Sequence, residues 1–164
     1  MKLALPTLLL IAAPAALHAA DPPAVGVQGA LIFPVGDLTN AAGPGIQLGG
    51  HARWDFGRGH GLMARADLGL YGSKDGTKVT SFGGGADYTY HVDRNRRGVY
   101  FLAGLSFMNY EVSHGGSASR SGFGPALGLG YDHTRNLGFQ LRYTNHNLDG
   151  ASMGSLNLGV TWTF

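Results

Sequence analysis

The chain has 164 residues, of which 12 are Lys or Arg and 10 are Asp or Glu, so its net charge is only +2. This near balance argues against nucleic-acid binding, which usually needs a marked basic face. Cysteine is absent, which excludes a disulfide framework, a thiol nucleophile and a zinc–cysteine site. Beyond the N-terminal segment, no apolar run reaches the length of about 18 residues that a transmembrane helix needs, so a chain embedded in a membrane would cross it as strands.

The N-terminal segment predicts a secretory signal peptide over residues 1–20. A lysine at the second position supplies the positive start, residues 3–17 are apolar, and Ala19 and Ala20 form a small-residue cleavage point. The apolar run contains two prolines and is short for a transmembrane helix. An uncleaved N-terminal anchor is the alternative. We therefore expect residues 21–164 to form one exported domain.

Segments of alternating polarity follow the signal peptide, and eight of them can be counted. They lie near residues 25–33, 46–56, 62–70, 79–90, 99–110, 123–131, 137–146 and 156–164. Successive side chains of a strand point to opposite faces, so each segment has one apolar face and one small or polar face. The fifth segment is apolar on both faces at its start, and we expect Val99, Phe101, Ala103, Leu105 and Phe107 to face outward. Each segment has the length of a tilted transmembrane strand.

The last segment shows the pattern most clearly. Its apolar residues are Leu156, Leu158, Val160, Trp162 and Phe164, and small or polar residues separate them. This predicts a strand with lipid on one side and a polar lumen on the other. Many of the 28 glycines of the chain lie inside such alternating segments. A low-complexity linker would not show this alternation, and glycines facing the lumen let a narrow barrel close.

The connections between segments alternate in character. Compact, charged turns are predicted near residues 57–61, 93–98 and 132–136. The other connections, near residues 36–45, 72–78, 111–122 and 147–155, are longer and rich in Ser, Gly, Asn and Asp. Outer-membrane barrels have short periplasmic turns and longer outer loops. The sequence therefore predicts an all-β fold, an eight-stranded antiparallel up-and-down transmembrane barrel with both termini on the periplasmic side.

Aromatic residues collect at the ends of the segments. At the end with the compact turns we expect a membrane-interface belt that includes Trp54, Tyr88, Tyr90, Tyr131, Trp162 and Phe164. A second group, Phe33, Phe82, Phe107 and Phe123, falls at the opposite ends. Two such belts are typical of membrane barrels. A soluble lipocalin-like barrel is the alternative, but it would place these bulky rings in its centre.

Two stretches carry a resemblance to a known family. Residues 128–143, GLGYDHTRNLGFQLRY, resemble the penultimate hairpin of the small outer-membrane β-barrel family, which includes the OmpA-like and OmpX-like barrels. Residues 156–164 resemble the C-terminal strand of that family. The resemblance implies an eight-stranded barrel that the outer-membrane assembly machinery inserts, with Trp162 and Phe164 in the segment that this machinery reads. It does not imply one function.

Charged residues fall in the lumen phase of several segments, and we expect them to form a polar network: Arg53, Asp55, Arg65, Asp67, Asp87 and Arg142. Buried charges are costly unless they are paired. Arg53 with Asp67, or Arg65 with Asp55, would pair across neighbouring strands. The set suits either an ion path or a structural salt-bridge plug. An eight-stranded barrel is only wide enough for side chains to fill, which favours the plug.

Metal binding and catalysis have weaker support. The histidines after the signal peptide are scattered without HxH or HxxxH spacing, so no metal site is expected. Some small barrels are lipid A deacylases with a Ser–His pair on the lipid-facing surface. His146 with Ser152 or Ser155 is the nearest candidate pair. However, the closely spaced His–Ser motif is missing and His146 falls in the lumen phase, so we expect no enzyme.

These observations predict a monomeric outer-membrane barrel of a Gram-negative bacterium with a structural or envelope-associated role and no cofactor. Its expected partners are outer-membrane lipid, lipopolysaccharide and, during biogenesis, the barrel assembly machinery. The outer connections carry Lys74, Lys78 and Arg120. These side chains could bind the phosphate groups of lipopolysaccharide, and the alternative is that they are ordinary solvated charges. A porin-like channel for small solutes or hydrophobic compounds is the alternative function. Adhesion to a host surface is less favoured because the outer loops are short.

Overall fold

The computed structural model describes residues 22–93, 97–148 and 150–164, and the predicted signal peptide lies outside these ranges. It consists of eight strands and one short helix. The strands are β1 (Ala24–Gly36), β2 (Ala42–Gly57), β3 (His60–Ser73), β4 (Lys78–His91), β5 (Gly98–Ser113), β6 (Ser117–Asp132), β7 (Leu137–Leu148) and β8 (Ala151–Thr163), and the helix is α1 (Leu38–Ala41). Each strand pairs with the next in the chain, and β8 pairs with β1 to close the barrel. The predicted fold is therefore confirmed.

The first and last strands pair over most of their length. All these pairs are antiparallel, and they run from Gly26 opposite Thr163 to Gly36 opposite Met153. Beyond the last pair, the Phe164 amide donates a 2.9 Å hydrogen bond to the Val25 carbonyl. Closure leaves neither β1 nor β8 as a free edge, which is what a strand in a lipid bilayer requires.

The apolar faces of the strands point out of the barrel. The outward side chains on β1 and β8 include Val27, Leu31, Leu158 and Trp162, each about half exposed. On β5, Phe101 and Leu105 are exposed while Tyr100 and Tyr110 are buried in the lumen, so the expected phase of this strand is confirmed. Along most of each strand, every second side chain is apolar and faces outward. Such an outer surface favours contact with lipid over contact with water.

The strands extend further at the outer end than the sequence suggested. Lys74 and Thr77 bridge across the β3–β4 turn, and residues 114–116 alone connect β5 to β6. The connection between β7 and β8 is equally short, since β7 ends at Leu148 and β8 begins at Ala151. The prediction of longer outer loops near residues 72–78, 111–122 and 147–155 was therefore wrong. Ser- and Gly-rich stretches favour exposure to water, but exposed backbone can still pair as a hairpin ladder, and here it does.

Helix α1 is the exception among these connections. It has four residues and lies between β1 and β2, with Leu38 completely buried. A helix this short has no periodicity that a sequence pattern could show. Among the residues that the structure describes, no helix is long and apolar enough to cross a membrane.

Candidate functional site in the barrel lumen

A cluster of four charged side chains occupies the middle of the lumen. Asp87 on β4 accepts hydrogen bonds from Arg142 on β7 at 2.5 Å and from Arg65 on β3 at 3.4 Å. Arg65 also forms an ion pair with Asp67 on its own strand. The Gln28 amide of β1 donates to the other oxygen of Asp67. These contacts join strands on opposite sides of the barrel.

This central ion cluster has balanced formal charge, with two arginines and two aspartates. The four side chains are at most 4% exposed. Buried charges need partners, and here each charge has at least one opposite charge in contact. The strands bring together Arg65, Asp67, Asp87 and Arg142 of the predicted network. The lumen of an eight-stranded barrel is only just wide enough for such side chains.

Arg53 belongs to a second cluster nearer the chain termini. Its guanidinium nitrogens lie 2.9 and 3.3 Å from the two carboxylate oxygens of Asp132 on β6. His91 on β4 lies 2.9 Å from the same carboxylate. The guanidinium also stacks over the Tyr100 ring, with 5.3 Å between its central carbon and the ring centroid. We call these side chains the terminal ion cluster, which lies nearer the chain termini than the central one.

The expected pairing of Arg53 with Asp67 was wrong. In the β2–β3 ladder Arg53 lies opposite Met63, and Asp67 lies opposite Gly49. The two levels are four residues apart, or about 13 Å at the rise of a strand. Arg53 instead contacts Asp132 across the lumen. The two residues lie on β2 and β6, which are not adjacent in the barrel.

The alternative pairing of Arg65 with Asp55 was also wrong. Arg65 contacts Asp67 and Asp87. Asp55 lies at the mouth of the barrel, where its carboxylate accepts a 2.7 Å hydrogen bond from the Gly57 amide. A carboxylate two residues before a tight turn is well placed to cap it, and this local bond keeps Asp55 at the level of the turn.

An apolar cluster fills the outer end of the lumen. Leu38 of α1 inserts between the strands and packs with Ala42, Val79, Met108, Tyr110 and Leu148. The connection that carries α1 is held by a pair of hydrogen bonds with Ser152 on β8, at 2.9 Å from the Asp37 amide and 2.8 Å to the Asp37 carboxylate. Lys74 also donates to the Thr39 carbonyl at 2.5 Å. The alternation of polarity did not indicate this cluster, although an apolar Leu38 inside a polar connection was a signal for it.

His146 lies between the central ion cluster and the apolar cluster. Its Nε2 is 2.8 Å from Ser106 Oγ and its Nδ1 is 3.1 Å from the Tyr110 hydroxyl. All three side chains are at most 2% exposed. A hydroxyl beside an imidazole is the arrangement that activates a nucleophile, but a nucleophile also needs a substrate within reach. The surrounding lumen seals this pair from lipid and water.

The serines considered as partners of His146 have other contacts. Ser155 Oγ lies 2.9 Å from Thr144 Oγ1, and Ser152 donates to Asn145 at 2.8 Å. His146 therefore contacts Ser106 and not either of the two serines considered as its partners. The residues that the structure describes contain no group of three or more His, Cys, Asp or Glu placed to hold a metal ion.

A cavity of about 530 Å³ opens at the end of the barrel that carries the chain termini. We call it the terminal vestibule. Arg53, His91 and Asp132 form its floor, and Arg135, Asn136 and Phe164 lie among the residues of its rim. The terminal ion cluster therefore contributes Arg53, His91 and Asp132 to the lining of the vestibule.

Comparison with known proteins decides the family. The family described as outer membrane protein beta-barrel domain matches residues 3–164. The chain belongs to this family. None of the curated proteins compared with it matches significantly.

Solved barrels resemble this outer-membrane barrel in fold. Ail, the attachment invasion locus protein of Yersinia pestis, solved with the heparin analogue sucrose octasulfate, is 18% identical with a TM-score of 0.59, and the match covers 87% of this chain and 97% of that one. Neisserial surface protein A is 22% identical with a TM-score of 0.57, covering 89% and 99%. The N-terminal barrel domain of Pseudomonas aeruginosa OprF is 16% identical with a TM-score of 0.56, covering 88% and 99%. At these identities the likeness shows the fold alone.

The family places this outer-membrane barrel in the cell outer membrane, as predicted. The aromatic residues proposed for the interface all lie on the outward phase near the end with the termini: Trp54, Tyr88, Tyr90, Tyr131, Trp162 and Phe164. His60 on β3 packs beside two of them, with its ring centroid 5.9 Å from Tyr88 and 5.1 Å from Tyr90. Rings with an apolar body and a polar edge are typical of the boundary between lipid and water.

Proposed function

We propose that this barrel has a structural, envelope-associated role and does not conduct ions or solutes. The supporting observation is that side chains fill the lumen at three levels. The terminal ion cluster, the central ion cluster and the apolar cluster under α1 follow one another along the barrel. A solute would have to separate buried ion pairs and then displace Leu38.

Separation of the central ion cluster would be costly. Leaving one member of a buried ion pair without its partner destabilises a protein by about 3–5 kcal/mol. Asp87 holds two arginines at once, so opening a path beside it breaks more than one such contact. Displacing the apolar cluster adds a further barrier, because its side chains would move from a packed interior into water.

Conductance of the purified barrel in planar lipid bilayers tests this proposal. We expect no current steps above the lipid baseline, while a general porin inserted under the same conditions gives steady steps. Steady, ion-selective steps from this barrel would refute the non-conducting role and favour the alternative, a channel for small solutes or hydrophobic compounds.

We also propose that the barrel is not an enzyme. His146 and Ser106 form a serine–histidine pair inside the lumen, away from the lipid-facing surface where lipid A would bind. Incubation with lipopolysaccharide should therefore release no fatty acid. Release that is abolished by His146→Ala, in a variant that still folds, would overturn this proposal.

The proposed partners are outer-membrane lipid, lipopolysaccharide and the assembly machinery, with the barrel itself a monomer. Closure of the barrel by β1 and β8 supports the monomer, since no unpaired edge between them needs a second copy. Light scattering in detergent, corrected for bound detergent, should give the mass of one chain. A mass of two or more chains would contradict it.

A further inference from the structure

Beyond the outer aromatic residues, the outward faces of β4, β5 and β6 become polar. Phe82, Phe107 and Phe123 end the apolar part of these strands, and each is exposed. Because side chains alternate along a strand, the residues two and four positions further out share their face. Cross-strand pairing places these residues side by side as one surface. We call it the outer polar face, and it consists of Lys78, Thr80, Asn109, Glu111, Ser119 and Ser121.

The outer polar face rises above the apolar belt of the barrel. β5 continues for six residues beyond Phe107 and pairs with β6 as far as Ser113 opposite Ser117. With strands tilted by about 45° and rising about 3.3 Å per residue, this extension lifts the hairpin about 14 Å above Phe107. The headgroup layer adds only about 5–7 Å to each side of the hydrocarbon region. The face therefore spans the height of the lipid headgroups and of the groups attached to them.

Serine hydroxyls hold the two longest side chains of the β5–β6 part of this face. Ser119 donates a 3.0 Å hydrogen bond to Asn109 Oδ1, and Ser117 donates a 2.8 Å hydrogen bond to Glu111 Oε1. The Asn109 amide nitrogen supplies N–H donors, and the second carboxylate oxygen of Glu111 supplies an acceptor. Planar groups that are already oriented lose less conformational freedom when they bind a ligand. Donors and acceptors side by side complement the neighbouring hydroxyls of a sugar ring.

We propose that the outer polar face binds the core sugars of lipopolysaccharide, which are attached to lipid A. This inference rests on lipopolysaccharide as the proposed partner and identifies the part of it that is recognised. The face is continuous with the lipid-facing belt of an outer-membrane barrel. The molecule beside it is therefore the headgroup of the lipid whose acyl chains contact Phe82, Phe107 and Phe123.

The charge of the face favours sugar hydroxyls over phosphate groups. Lys78 and Glu111 carry opposite charges, and the other four side chains are neutral. A phosphate-binding surface normally presents an excess of Arg or Lys. Below the face, the Phe107 and Phe123 rings pack with 4.9 Å between their centroids. This aromatic pair lies where the acyl chains of a neighbouring lipid give way to its sugars.

Urea unfolding in two kinds of vesicle tests the proposal. One kind contains phospholipid with lipid A, and the other contains phospholipid with lipopolysaccharide that retains its core sugars. We expect the native barrel to unfold at a higher urea concentration in the second kind, because a ligand that binds the folded state stabilises it. Asn109→Ala combined with Glu111→Ala should lose this increase.

The matched control is Asn40→Ala, because Asn40 is an exposed asparagine at the same end of the barrel but on α1. This variant should keep the increase. If core sugars give the native barrel no increase over lipid A, or if the double variant keeps the whole increase, the proposal is wrong. Neither result would bear on the non-conducting role, which the conductance measurement tests separately.

Chemical labelling gives a second measurement that does not depend on stability. The chain has no cysteine, so a single introduced cysteine reports on one position. We expect core sugars to slow the reaction of Ser121→Cys with a membrane-impermeant maleimide more than that of Asn40→Cys, relative to vesicles with lipid A. Equal slowing at both positions would mean that the sugars only shield the outer end of the barrel, and it would refute binding at the outer polar face.

Discussion

Replacement of Asp87 by asparagine should strongly destabilise the barrel. Asp87 is completely buried and accepts hydrogen bonds from both Arg65 and Arg142. Asn preserves the shape of the side chain but removes its charge. Arg65 would keep Asp67 as a partner, while Arg142 would lose its only ion pair among the described residues. Because one arginine is left buried without a counter-ion, we expect a loss of about 3–5 kcal/mol in the free energy of unfolding.

The measurement is urea unfolding of the barrel in lipid vesicles, followed by the fluorescence of Trp54 and Trp162 and by heat-modifiable migration in gels. Asp75→Asn is the matched control, because Asp75 lies exposed in the β3–β4 turn at a φ of +48° that asparagine tolerates. Exposed substitutions of this kind usually change stability by less than about 0.5 kcal/mol.

A double substitution separates ionic pairing from general damage to the interior. In Asp87→Asn, the unpaired charge of Arg142 should account for most of the destabilisation. The double variant Asp87→Asn with Arg142→Met should therefore lose less free energy of unfolding than Asp87→Asn alone. Replacing buried ion pairs with apolar groups of similar volume is often tolerated. Additive losses in the double variant, or a loss in Asp87→Asn no larger than in Asp75→Asn, would refute the assignment of a paired central ion cluster.

Other predictions concern assembly and packing. Removal of Phe164 should sharply lower the yield of heat-modifiable barrel in the outer membrane, because its amide bonds to Val25 at the closing seam; an unchanged yield would contradict this. Leu38→Ala should lower stability by about 2–5 kcal/mol in the same urea assay, as expected for a fully buried leucine, and a loss below 1 kcal/mol, on the order of an exposed substitution, would argue against a packed outer cluster. Gly124→Ala should destabilise by about 1–3 kcal/mol because its Cβ would lie 1.8 Å from a backbone oxygen. Gly116→Ala, with nothing within 4 Å, is its control and should leave the midpoint unchanged.

The sequence by itself determined the barrel and the direction of each strand face. Alternation with a period of two is a local property, so it can be read from one strand without knowledge of its neighbours. Leu156 to Phe164 illustrates this, since every second side chain of that segment faces outward as predicted. The same rule predicted which face of β5 points outward. Phe101 is exposed and Tyr100 is buried, as predicted. Polarity was a poorer guide to where a strand ends, because exposed Ser and Gly residues still pair in hairpins.

Only the tertiary structure decided which side chains meet inside the lumen. The sequence placed Arg53, Arg65, Asp87 and Arg142 on the inner face, but contacts across a barrel depend on ladder register and on strands far apart in the chain. Arg53 thus finds Asp132, 79 residues away, and not Asp67 on the adjacent strand. The outer closure by Leu38 has the same origin, because a four-residue helix is stabilised by the strands around it and not by its own propensity.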